Sequence, residues 1–247
     1  GSEMDTAGVI SNLETGDKIG RLARPLLPQV SFLDPTLTYS VNQYQTACGS
    51  VDIFSHIAET YFNMEPDLYM LDCFMEGMMK TVLKFAPVAM REPDNYEARA
   101  NLMWTSSWAI NGFVLGSHRK AWSCHPIEHE LSAKYDITHG LGLALLTPRW
   151  MEYCLDESNV SKYVQFAVNV FGVDGSQEPM KVAREGIRLL AEFFFDTLGL
   201  PRTFTEVGIK REDFPMMARK ACGAGGVLRG FKDLTPADVE KIFEMCE

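Results

Sequence analysis

The sequence has no surplus of positive charge with which to hold a polyanion: 23 Lys and Arg face 33 Asp and Glu, for a net charge of −10. Phosphate backbones are bound by basic faces, so nucleic acid is not an expected partner. The short basic cluster His118-Arg119-Lys120 reads as a solvated helix end. No apolar run approaches the roughly 20 residues that cross a bilayer, and the first residues lack the basic and apolar regions of a secretory leader. The expectation is a soluble, cytoplasmic protein with no membrane partner. Cysteine is sparse and unpaired in pattern: Cys48, Cys73, Cys124, Cys154, Cys222 and Cys246 are scattered without a C-x-x-C motif. Such spacing in a large acidic chain reads as reduced thiols rather than a disulfide framework. Internal repeats and low-complexity tracts are absent.

Histidine is also scarce, and what there is lies close together. Of five histidines, His125, His129 and His139 fall within fifteen residues, and His56 follows Asp52 by four. On a helix that spacing places Asp52 and His56 on one face, about a turn apart. Neutral imidazoles with one carboxylate suit zinc or ferrous iron, and a centre with an open position can polarise a substrate oxygen. A surface ion pair and hydrogen-bonded core histidines are the bland alternative, and the clustering favours the metal. Cys124 beside His125 reads as a packing residue, since imidazole and carboxylate donors suffice.

With 46% hydrophobic residues the chain has ample material for a core. Gly8–Asn12 and Lys18–Arg21, joined by a turn over Leu13 to Asp17, predict a hairpin, and Gln29–Leu33 a third short strand. So small a sheet is marginal in water, so residues 1–39 are expected to belong to a sheet whose remainder is absent or supplied by another chain. Residues 40–247 predict helices almost throughout: Val41 to Phe62; a Met-rich helix capped by Asp67 and running to about Met90; Tyr96 to about Phe113; and a helix that begins, or kinks, near His125 because Pro126 tolerates only a first turn. Further helices are expected from Gly140 to about Leu155 with His139 at the N-terminus, and over Val160–Phe171, Pro179–Leu198, Arg211–Cys222 and Pro236–Cys246. Gly223-Ala224-Gly225-Gly226 follows a helix rather than a strand, so it reads as a helix stop and not a phosphate loop.

The motifs Asp52-x-x-x-His56-x-x-Glu59, His125-x-Ile127-Glu128-His129-x-Leu131-Ser132-Ala133, Asp136-Ile137-Thr138-His139-Gly140 and Pro148-x-Trp150-Met151 occur in one order. Together they resemble the iron-containing alcohol dehydrogenases, closest to the butanol dehydrogenase branch. The resemblance implies a mainly α fold, a helical bundle like the C-terminal domain of dehydroquinate synthase, with a short β-hairpin and strand segment left from an α/β domain. It implies that Asp52, His56, His125 and His139 hold Fe2+ or Zn2+, with His129 beside the cavity in a proton-handling or substrate-orienting role. Glu59, Glu128 and Asp136 are candidates to accept imidazole N–H groups; Trp104, Phe113 and Trp122 are candidates to line a cavity. It further implies reversible hydride transfer between a small alcohol or aldehyde and NAD(P)H, and a homodimer. The family's N-terminal nucleotide-binding domain has no counterpart here, so the chain reads as a C-terminal domain that is inactive alone, with that domain as its partner. Two alternatives are a metal-dependent hydrolase or lyase and a non-catalytic, metal-stabilised helical module. Against the hydrolase, no histidine is directly followed by Asp.

Overall fold

A computed structural model describes residues 1–12, 14–15, 17–115 and 122–247. The basic cluster His118-Arg119-Lys120, and Leu13 and Gly16 of the hairpin turn, lie outside the described residues. The hairpin forms from β1 (Ala7–Asn12) and β2 (Asp17–Leu22), antiparallel with Ala7 opposite Leu22 and Asn12 opposite Asp17. The expected third strand does not form. Residues 29–33 run as bends and irregular chain, because no neighbouring strand among the described residues takes up their backbone groups.

Among the described residues ten α-helices follow: α1 (Gln43–Tyr61), α2 (Tyr69–Arg91), α3 (Tyr96–Ala109), α4 (Gly112–Leu115), α5 (Cys124–Tyr135), α6 (His139–Cys154), α7 (Val160–Phe171), α8 (Pro179–Glu192), α9 (Phe214–Cys222) and α10 (Pro236–Glu244). Several begin where a short polar side chain satisfies the first free amides. Asn42 accepts from the Gln45 amide at 2.8 Å, Asn95 from the Ala98 amide at 3.0 Å, and Thr235 forms a reciprocal capping box with Asp238. Asp67 does not cap α2. It sits in the left-handed region at φ 62°, and Leu68 precedes the helix without a side-chain cap. The expected helix to Phe113 breaks after Ala109 into the short α4, and the one expected to Leu198 ends at Glu192 in a π turn over Phe193–Thr197.

Helix α1 is the axis of the bundle, packed by α2, α3 and α6. Its inner face meets a cluster of fully buried aromatics that includes Phe54, Phe62, Trp150, Phe166 and Phe194, mostly in edge-to-face contact. Helices α7 and α8 pair on one flank, and α9 with α10 close the end beside α5 and α6. β2 packs against α5, so the hairpin lies on the helical body. All six cysteines are free, and none of the described helices is long and apolar enough to cross a membrane.

Candidate metal centre

Three helices converge on one point. Asp52 and His56 stand a turn apart on α1, His125 is in the first turn of α5, and His139 is the first residue of α6. Asp52 Oδ1 lies 3.0 Å from His56 Nδ1, 3.5 Å from His125 Nε2 and 3.7 Å from His139 Nε2. That oxygen is buried, and although the imidazoles crowd it, none of them is directed at it as a hydrogen-bond donor. His125 Nε2 and His56 Nδ1 are 3.2 Å apart. Asp52, His56 and His125 thus bring donor atoms within 4.8 Å of one another, and His139, the fourth residue of the sequence-predicted set, joins them through Asp52.

The local sequence explains the convergence. Pro126 occupies the first turn of α5, where its missing N–H costs nothing. The free amides there are taken by a residue from another helix. Glu59, buried on α1, accepts from the backbone N–H of Ser123, of Cys124 at 2.6 Å and of His125 at 3.1 Å. The same carboxylate also takes the His125 Nδ1–H. Glu128, buried on α5, pairs with His139 Nδ1 and accepts from the Ser132 hydroxyl. It has room because residue 142 is glycine: a Cβ there would sit 2.6 Å from Glu128 Cγ. Gly140 likewise admits the α1 backbone, since its Cβ would fall 2.0 Å from the Cys48 carbonyl oxygen. Asp136 does not join the site. It is exposed and closes α5 in the left-handed conformation at φ 51°.

The electrostatics favour a cation. Burial would raise the Asp52 carboxyl, but attraction to His56 and His125 outweighs it and holds the group well below the usual carboxylate range. Burial likewise opposes charge on His125, yet the carboxylates of Asp52 and Glu59 push it up to about 9. A pocket that stabilises a proton on a buried imidazole is one that favours positive charge of any origin. His129 is different: burial pushes it down to about 4, so its imidazole is neutral near pH 7. Its ring packs beside His139, with centroids 5.6 Å apart, rather than facing Asp52.

Two neighbours escaped the sequence reading or were only half seen. Lys18 of β2 places Nζ 3.5 Å from Glu128 Oε2 and 3.3 Å from His139 Nδ1. No local signal marks it, since 121 residues separate it from His139. Trp122 packs on His56 and His125 at 4.9 and 4.7 Å, whereas Trp104 and Phe113 meet Trp108 edge to face. Cys124 is wholly buried, with burial pushing its thiol far up, as a packing residue requires. Asp52 and His56 open into a cleft whose facing wall includes Gly1, Glu3, Arg99, Leu102 and Ser106.

Comparison with known proteins shows what the chain is similar to. The chain is 47% identical to NADH-dependent butanol dehydrogenase A of Clostridium acetobutylicum over 246 residues, which is 99% of this chain and 63% of that protein. The solved butanol dehydrogenase A of Thermotoga maritima superposes with a TM-score of 0.90 at 34% identity, covering 99% of this chain and 63% of that one. The solved Escherichia coli K-12 YqhD gives a TM-score of 0.93 at 30% identity, over 100% of this chain and 63% of that one. The chain therefore spans under two thirds of the length of these relatives. They offer no support for a hydrolase or a non-catalytic module. Residues 46–246 match the family model for the C-terminal region of Fe-containing alcohol dehydrogenases, and the chain belongs to that family.

Proposed function

We propose that the chain is the metal-binding portion of a nicotinamide-dependent alcohol dehydrogenase that interconverts a small alcohol and its aldehyde, with Asp52, His56, His125 and His139 holding one divalent cation. One observation carries the reading: a buried carboxylate oxygen without a hydrogen bond, crowded at 3.0 to 3.7 Å by three imidazole nitrogens from three helices. Leaving such an oxygen unsatisfied is costly, and a cation among the four donors removes the cost. One carboxylate and three imidazoles suit ferrous iron and zinc alike, and the family's description favours iron. A cation held by these residues would supply Lewis-acid polarisation of a substrate oxygen, and a nicotinamide cofactor would supply or take up the hydride.

The chain's own residues do the rest. Asp52 and the imidazoles hold the cation, and Trp122 covers His56 and His125 from water. His129, kept neutral by burial beside His139, would carry a proton on one ring nitrogen and leave the other as an acceptor for proton handling. Residues 1–39 belong with a nucleotide-binding region that the family resemblance implies, and residues 40–247 form the metal-binding body. NADH is the favoured cofactor, because the C. acetobutylicum relative is named for it. By the same resemblance, the complete protein is a cytoplasmic homodimer, and this chain alone turns over little or no alcohol.

Metal content after anaerobic, chelator-free purification tests the assignment. Near-stoichiometric iron or zinc is expected in the parent, with a large loss in His139→Ala. Absence of metal from both would sink it. Rapid butanal reduction by NADH with this chain alone would contradict the need for a further nucleotide-binding region.

A further inference from the structure

We propose that Glu59 and Glu128 are positioning residues of the metal centre, each holding one imidazole in the tautomer that aims Nε2 at the cation. The inference rests on the metal assignment above and concerns how the donors are kept in place. A neutral imidazole has one N–H and one lone pair, and the partner of the N–H decides which nitrogen is free to ligate. For His125 and His139 the arrangement is the same. Nδ1 faces a buried carboxylate, Glu59 or Glu128, and Nε2 faces Asp52 Oδ1 at 3.5 or 3.7 Å.

Both carboxylates are themselves fixed. Glu59 is held by three backbone amides at the start of α5, so it joins α1 to α5 while orienting His125. Glu128 is held by the Ser132 hydroxyl and the Lys18 ammonium, in space that exists because residue 142 lacks a side chain. Neither can turn away without abandoning other partners. His56 has no such carboxylate, for its Nδ1 lies 2.8 Å from the Asp52 carbonyl oxygen of its own helix.

Glu128, His129 and His139 also bring donor atoms within 4.8 Å of one another, a grouping that by itself could pass for a second metal site. Lys18 decides against it. Its ammonium already stands 3.5 Å from Glu128 and 3.3 Å from His139, so a cation of the protein's own neutralises the carboxylate. The structure assigns one metal per chain, with the second grouping as its support.

Cobalt(II) titration with a competing chelator tests this, read by visible absorption and by stoichiometry. The parent chain should bind one Co2+. Glu128→Gln and Glu59→Gln should bind 10–100-fold more weakly, the loss typical when a ligand's hydrogen-bond partner is removed. Far-UV circular dichroism of Glu128→Gln should stay at the parent's, showing that the helical fold is kept. In zinc-loaded protein with 15N-labelled histidine, the His125 and His139 imidazoles should each show a protonated Nδ1 in the parent, and Glu128→Gln should lose the His139 signal. Should Glu59→Gln fail to fold, Glu128→Gln decides alone. A parent that binds no Co2+ overturns the metal assignment and this inference with it. A parent that binds one Co2+, with variants within twofold of it and unchanged imidazole signals, overturns the positioning role and leaves the metal assignment standing. Two Co2+ per parent chain overturns the part given to Lys18.

Discussion

Two glycines two residues apart in α6 do unlike jobs. A Cβ on Gly140 would meet α1 backbone at Cys48, which cannot step aside, whereas a Cβ on Gly142 would meet the Glu128 side chain. Gly140→Ala should therefore push α1 from α6 and lower stability by about 1–3 kcal/mol, the usual cost of overpacking. A lower urea midpoint with an unchanged denaturant slope would register it. Gly142→Ala should cost less in stability and more in metal retention, since Glu128 is what moves. Finding the reverse order would mean that the helix contact, not the carboxylate, sets the spacing. Neither role could be read from the sequence, where both glycines look like the opening of a helix. Asp52 and His56 could be read, because a four-residue step on one helix fixes their shared face whatever surrounds it.

Among the elements, α2 and α7 are joined by a polar cluster inside an apolar core. Lys162 Nζ binds Asp72 at 2.6 Å and lies 3.9 Å from the Tyr61 ring centroid, while Glu76 accepts from Tyr61, Gln165 and Asn169 at 2.8 to 3.0 Å. Removing one member of a buried pair strands the other charge, so Lys162→Met should lose about 3–5 kcal/mol. Adding Asp72→Leu should return a good part of that in the double variant, as judged from urea midpoints. Additive losses would contradict the pairing. The hydrophobic period marked nearly every helix, because it records which residues share a buried face. It does not record what an element finds when it arrives. Gln29–Leu33 has strand-like composition but meets no strand, and the π turn after Glu192 and the break after Ala109 answer to packing.

At the scale of the whole molecule, apolar exposure is unevenly spread. Val9, Ile10, Ile19, Leu22, Leu26, Val30, Phe32 and Leu37 are all exposed, Phe32 at 93%, and all lie before α1. Concentrated apolar exposure marks a surface that associates. The chain should therefore self-associate at micromolar concentration, and Val30→Ser with Phe32→Ser should reduce light scattering without shifting the melting temperature. Unchanged scattering would place the sticky surface elsewhere. Composition and motif order announced the helical body and its four converging donors. The hairpin's seat on α5 they could not announce, since pairing over more than a hundred residues leaves no periodic trace.

That seat bears on how such a protein can be cut and recombined. The border between residues 39 and 40 looks in the sequence like a clean joint, yet Lys18 reaches across it to Glu128 and His139, and Asp17 reaches Lys220 on α9 at 3.0 Å. A chimera that took its hairpin from one parent and its helices from another would thus mix two parents' charges within a single centre. The hairpin travels as a cassette of the site, and any exchange of parts has to carry it with the helices it touches.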